Sequence, residues 1–128
     1  MAKGKILIVD DDAAICETMA DLLDLKNYNI QIASNGVDGL KICAQEPIDL
    51  VILDLNMPRM DGYMFMEHLA KRRQADARTD TPPKILVLTA VNKNTDLGLA
   101  TNLGASKFMN KPFKTSEFIE TVGELMGE

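Results

Sequence analysis

The chain has no tryptophan, one histidine, two cysteines and an aromatic share of 5%. A single histidine rules out imidazole clusters as metal ligands, so any metal chemistry must rest on carboxylates. Cys16 and Cys43 fall inside helical patterns, too few for a disulfide framework and wrongly spaced for a zinc site. Both read as small core or half-buried residues of a reducing cytoplasm. No apolar run approaches the roughly 20 residues needed to span a membrane. Met1-Ala2-Lys3-Gly4 leads directly into a strand pattern, with no room for a signal peptide. The formal net charge of −5 opposes sequence-independent attraction to nucleic acid or anionic lipid. A local basic group, Lys71, Arg72, Arg73 and Arg78, reads as the solvated end of a helix, where cations complement the dipole.

What is present is an alternation of strand and helix, five times over, without a composition break. A chain of 128 residues fits one domain, 1–128. Lys5–Val9, Leu50–Leu53 and Ile85–Leu88 are continuous apolar runs, as expected of parallel strands covered on both faces. Asn29–Ala33 alternates polar and apolar and belongs at an edge; the short, mixed run Ser106–Met109 suits the other edge. Asp12 is placed to cap a first helix with Ile15, Met19, Leu22 and Leu23 inward. Asn35 is placed to cap a second, with Val37, Leu40 and Ala44 inward. Asp61 precedes a third carrying Phe65 and Leu69. Asn92 or Asn94 starts a fourth with Leu97, Ala100 and Leu103, closed by a left-handed Gly104. Thr115 or Ser116 caps a fifth with Phe118, Val122 and Leu125. Gln74–Pro83 reads as a long polar loop. Gly98 lowers the stability of the fourth helix by roughly 1 kcal/mol relative to alanine.

The strand ends carry the chemistry. One run ends in Asp10-Asp11-Asp12, another in Asp54, a third in Thr89, and the fifth leads through Asn110 into Lys111. On neighbouring parallel strands these groups gather at one edge of the sheet. Carboxylates packed together raise one another's pKa unless a cation intervenes, and Mg²⁺ takes oxygen ligands while keeping several waters. Asp11 and Asp54 are placed to ligate it, Asp10 to hold a metal-bound water, and the backbone carbonyl of Asn56 to add an oxygen. Lys111 offers positive charge and Thr89 a hydroxyl donor to a phosphoryl group arriving on Asp54. Each piece also has a plainer reading. The triple aspartate is a turn with one capping residue, Lys111 a surface lysine, and Thr89 a turn residue. Asp61 is a helix cap, Gly62 permits a turn, and His68 lies on a helix surface.

The blocks Ile6-Leu7-Ile8-Val9-Asp10-Asp11-Asp12, Asp54-Leu55-Asn56-Met57-Pro58-Arg59-Met60-Asp61-Gly62, Thr89-Ala90 and Lys111-Pro112-Phe113 agree in type and spacing with one family. Over nearly its whole length the chain resembles the response-regulator receivers of two-component signalling. The resemblance implies a flavodoxin-like α/β fold, a doubly wound five-stranded parallel sheet of order 2-1-3-4-5. That order is borrowed from the fold; the patterns above give only its two edges. It further implies that Asp54 is the phosphoacceptor, that Asp10 and Asp11 bind Mg²⁺, and that Thr89 and Lys111 contact the phosphoryl group. A cis Lys111-Pro112 bond is expected on the same ground. The phosphoryl group would come from a histidine kinase or phosphotransfer protein. Thr89 and Phe108 would form the switch toward an output face on the fourth helix, fifth strand and fifth helix. Many receivers have tyrosine where Phe108 stands, so the ring here lacks a hydroxyl to bond when turned outward.

The implied partners are a kinase or phosphotransfer protein and a downstream protein target. Direct nucleic-acid or membrane binding is not expected, and the state expected is a monomer or weak dimer. A single-domain regulator is the favoured reading, with an excised receiver of a longer regulator as the alternative. Asn56 and Val91 flank the site where a side chain could admit or exclude attacking water; apolar Val91 offers nothing to orient that water, so slow self-dephosphorylation is expected. A magnesium phosphohydrolase with an aspartate nucleophile is the competing class. Such enzymes place a second aspartate two residues further on as acid and base; here that residue is Asn56, which cannot transfer the proton.

Overall fold

The computed structural model describes residues 4–57, 60–75, 82–93 and 95–128, without the side chains of 73–75. The strands are β1 (Lys5–Val9), β2 (Asn29–Ala33), β3 (Leu50–Leu53), β4 (Lys84–Thr89) and β5 (Lys107–Asn110). Between and after them lie α1 (Ala13–Asp24), α2 (Gly36–Gln45), α3 (Gly62–Ala75), α4 (Leu97–Asn102) and α5 (Thr115–Leu125). All strand pairs are parallel, in the order β2-β1-β3-β4-β5. The alternating β2 and the mixed β5 are the edges, and β3 lies at the centre with all four residues buried.

Side chains alternate across each strand, so the sheet builds two cores. Leu7, Val9, Val51, Leu53, Ile85 and Val87 face one way, against α2, α3 and α4. Ile6, Ile8, Leu50, Ile52, Leu86 and Leu88 face the other, against α1 and α5. Full burial of each such side chain is worth roughly 1.5–3 kcal/mol, which makes the central strands a stiff platform for whatever their ends carry.

The helices refine the sequence reading. In α1, Asp12 accepts from the amides of Ala14 and Ile15 as the N-cap, and Cys16 joins Met19 and Leu23 in the core. In α2, Asn35 caps as expected, accepting from Asp38 at 2.9 Å. The inward face is nevertheless Gly36, Gly39 and Leu40, while Val37 and Ala44 are exposed. The reason is close packing. A Cβ on Gly39 would meet Phe65 at 3.0 Å and Val9 at 3.1 Å, and one on Gly36 would meet the Met60 side chain at 2.8 Å, so α2 turns its glycines inward. Helix α3 runs to Ala75, past the start expected for the loop, and residues 76–81 of that loop, with Arg78, lie outside the described residues.

Helix α4 is capped by Asp96, which accepts from Leu99 at 2.9 Å, and not by Asn92; Asn94 lies outside the described residues. Ala100 is buried and Leu103 half-buried, but Leu97, expected inward, is exposed. Gly104 follows with φ +118, the left-handed residue expected there. Helix α5 takes Lys114 at its N-cap with no side-chain hydrogen bond, so neither Thr115 nor Ser116 caps it. Arg72 does more than sit in solvent: its guanidinium donates to the Leu40 carbonyl at 2.6 Å, tying α3 to α2.

Candidate phosphoryl and metal site

Asp10 follows β1, Asp54 follows β3, Thr89 ends β4 and Lys111 follows β5. The register brings these ends together: Val9 pairs with Leu53, Leu53 with Val87, and Thr89 with Asn110. Asp10, Asp54 and Thr89 are buried, at 2%, 7% and 1% exposure, whereas Asp11 is exposed at the rim. The structure thus assembles all four strand-end groups in one cleft.

The Lys111 ammonium lies 2.7 Å from Asp10 Oδ2 and 3.2 Å from Asp54 Oδ2, bridging both carboxylates. The remaining oxygens are also engaged. Asp10 Oδ1 accepts from the Asp12 amide at 2.9 Å, and Asp54 Oδ1 from the Asn56 amide at 3.1 Å. Burial pushes the Asp54 carboxyl above its ordinary range; the Asn56 amide and Lys111 pull it back in part. Burial alone would lower Lys111, but its bond to Asp10 and the charges of both carboxylates raise it. The lysine therefore stays charged between two acids.

Asp10, Asp11 and Asp54 each bring one carboxylate oxygen to within 4.8 Å of the others. Three oxygen donors at that spacing, one of them open to solvent, fit a hard divalent cation that retains waters. The donor set fits no soft metal, since the nearby Cys16 thiol donates to the Asp10 carbonyl and is pushed up to about 11 by burial.

Two features of the site escaped sequence reasoning. Asn56 Nδ2 donates to Thr89 Oγ1 at 3.0 Å, joining the residue two past Asp54 to the end of the neighbouring strand. No local pattern announces such a bond, which exists only because β3 and β4 are neighbours. The second is Gly62. Its φ is not positive; a Cβ there would stand 2.7 Å from the Asp54 carbonyl oxygen and 2.8 Å from Leu55 Cα. The glycine is needed for close approach to the backbone behind Asp54, not for a turn. Asp61, as expected, caps α3 by accepting from Met64 at 2.9 Å, and His68 is exposed. Pro58 and Arg59 lie outside the described residues.

Phe108 is half-buried against the core beneath α4 and pairs with Val87, which places it on the same sheet face as Thr89. The Lys111-Pro112 bond is cis. Val91 is 52% exposed.

The response regulator receiver domain family matches residues 6–123, and the chain belongs to that family. It is a receiver of two-component signalling. Over 122 residues it is 34% identical to the DNA-binding dual master transcriptional regulator RpaA of Synechocystis, covering 95% of this chain and 48% of that protein. The response regulator MprA of Mycobacterium leprae is likewise 34% identical, covering 95% of this chain and 50% of its own. The chain spans about half the length of these relatives. Among solved structures, a CheY-like receiver domain protein from Methanospirillum hungatei superposes with a TM-score of 0.84 at 27% identity, covering 96% of this chain and 93% of that one. The chemotaxis response regulator CheY4 of Vibrio cholerae gives 0.82 at 26% identity, covering 95% and 98%. Among the described residues no helix is long and apolar enough to cross a membrane.

Proposed function

We propose that the chain, as one receiver unit, takes a phosphoryl group onto Asp54 in a magnesium-dependent reaction. The observation that carries this reading is the single ammonium of Lys111 held between Asp10 and Asp54, beside a third carboxylate from Asp11. Cations placed where phosphoryl charge must be screened supply most of the catalysis in such transfers. An Asp54 oxygen forms the new P–O bond as the P–N bond to a donor imidazole breaks. The electron pair stays on the imidazole nitrogen, which takes a proton from solvent. Lys111 binds a phosphoryl oxygen and Thr89 donates its hydroxyl to another. Asp10, Asp11, Asp54 and the Asn56 backbone carbonyl would hold the Mg²⁺, which when bound supplies the positive charge that lets two anions meet.

The donor in this reading is a histidine kinase or phosphotransfer protein, and the site works in the cytoplasm. Movement of Thr89 toward the phosphoryl group would free space for Phe108, biasing the face of α4, β5 and α5 between two arrangements that a protein target distinguishes. The receiver itself binds neither nucleic acid nor membrane and acts as a monomer or weak dimer. The length of the relatives, about twice this chain, favours a second reading in which the same receiver acts within a longer transcriptional regulator.

Incubation with acetyl phosphate and Mg²⁺, followed by intact mass measurement, tests the site. One added phosphoryl group is expected, absent on chelation and absent in Asp54→Ala. Labelling retained in Asp54→Ala would overturn the assignment.

A further inference from the structure

The Asn56 side chain has no part in the chemistry above, yet among the described residues it makes the one hydrogen bond that Thr89 Oγ1 receives. A hydroxyl has one hydrogen to give and two lone pairs. Asn56 Nδ2 occupies a lone pair from 3.0 Å, which steers the hydrogen away from Asn56. Thr89 is 1% exposed. The same Asn56 reaches Asp54 from its backbone, donating to Oδ1 at 3.1 Å. One residue thus fixes the carboxylate with its main chain and the hydroxyl with its amide.

We propose that Asn56 is a positioning residue: its side-chain amide holds the Thr89 hydroxyl with the hydrogen left free for a phosphoryl oxygen on Asp54. This rests on the phosphoacceptor reading of the site. It assigns the Asn56 side chain a role that acts through Thr89 and vanishes when the hydroxyl is removed.

The test is a double-mutant cycle on the initial rate of phosphorylation by acetyl phosphate, with Mg²⁺ saturating for each variant. Asn56→Ala is expected to slow labelling by about two- to tenfold, the worth of one neutral hydrogen bond. In a Thr89→Val background the same substitution is expected to change the rate less than about twofold, because the partner is gone. In Thr89→Ser, which keeps the hydroxyl, the dependence on Asn56 should persist. An equal loss in the Thr89→Val background would overturn the proposal, as would faster labelling of Asn56→Ala, which would mean the bond restrains the threonine. If the parent protein takes no phosphoryl group on Asp54, the reading of the site itself fails. Normal labelling without dependence on Asn56 sinks the positioning role alone.

Discussion

At the scale of single residues, the site is made of groups that would be unstable elsewhere. Asp54 is buried and its carboxyl raised, a state that one charged lysine and one backbone amide make tolerable. Behind it, Gly62 packs against the main chain of Asp54 and Leu55, with backbone atoms that cannot move aside. Gly62→Ala should therefore destabilise the fold by about 1–3 kcal/mol through overpacking. It should also slow acquisition of phosphate by pushing on the Asp54 carbonyl. Urea unfolding and phosphodonor labelling on the same variant would measure both effects. Loss of neither would mean that the α3 start can shift at no cost.

At the scale of elements, α4 is the shortest helix among the described residues. It has six residues, one buried side chain and Gly98 in its first turn. Its start is held by the Asp96 cap and by the Tyr63 hydroxyl, which accepts from the Asp96 amide at 2.8 Å. Isolated helices this short do not persist in water, so tertiary contacts and caps decide its order. Among the described residues a methyl at Gly98 would meet only Asp96 Oδ1 at 3.5 Å, an ordinary contact. Gly98→Ala is expected to stabilise α4 by roughly 0.5–1 kcal/mol. Amide exchange in Leu97–Asn102 should slow while that of β3 stays unchanged. Faster exchange in α4 would show that the glycine is needed for packing. Because α4 forms part of the proposed output face, the same variant should narrow its range of arrangements.

At the scale of the whole molecule, the two cores set an alkaline limit on stability. Burial pushes the thiols of Cys16 and Cys43 up to about 11, and burial with the bond to Glu128 pushes Tyr28 up to about 12. The unfolded chain releases these protons near the ordinary values of 9.0 for cysteine and 10.0 for tyrosine, while the folded chain retains them. Stability is thus fully present below about pH 9 and falls as pH rises. The urea midpoint should drop between about pH 8 and about pH 10, and drop less in a Cys16→Ala/Cys43→Ala variant. Identical slopes would show that the thiols ionise alike in both states. The sequence by itself determined the strands, because continuous apolar runs and an alternating one have a single reading on a covered parallel sheet. It also determined which side chains stand at the strand ends, since Asp10, Asp54 and Thr89 follow or close such a run and Lys111 comes just after the short mixed one. Only the tertiary structure decided that Lys111 bridges two acids, that Asn56 reaches Thr89, and that α2 faces inward on glycine instead of Val37 and Ala44. Those outcomes depend on distances between segments far apart in the chain, and local periodicity carries no information about how closely two elements approach.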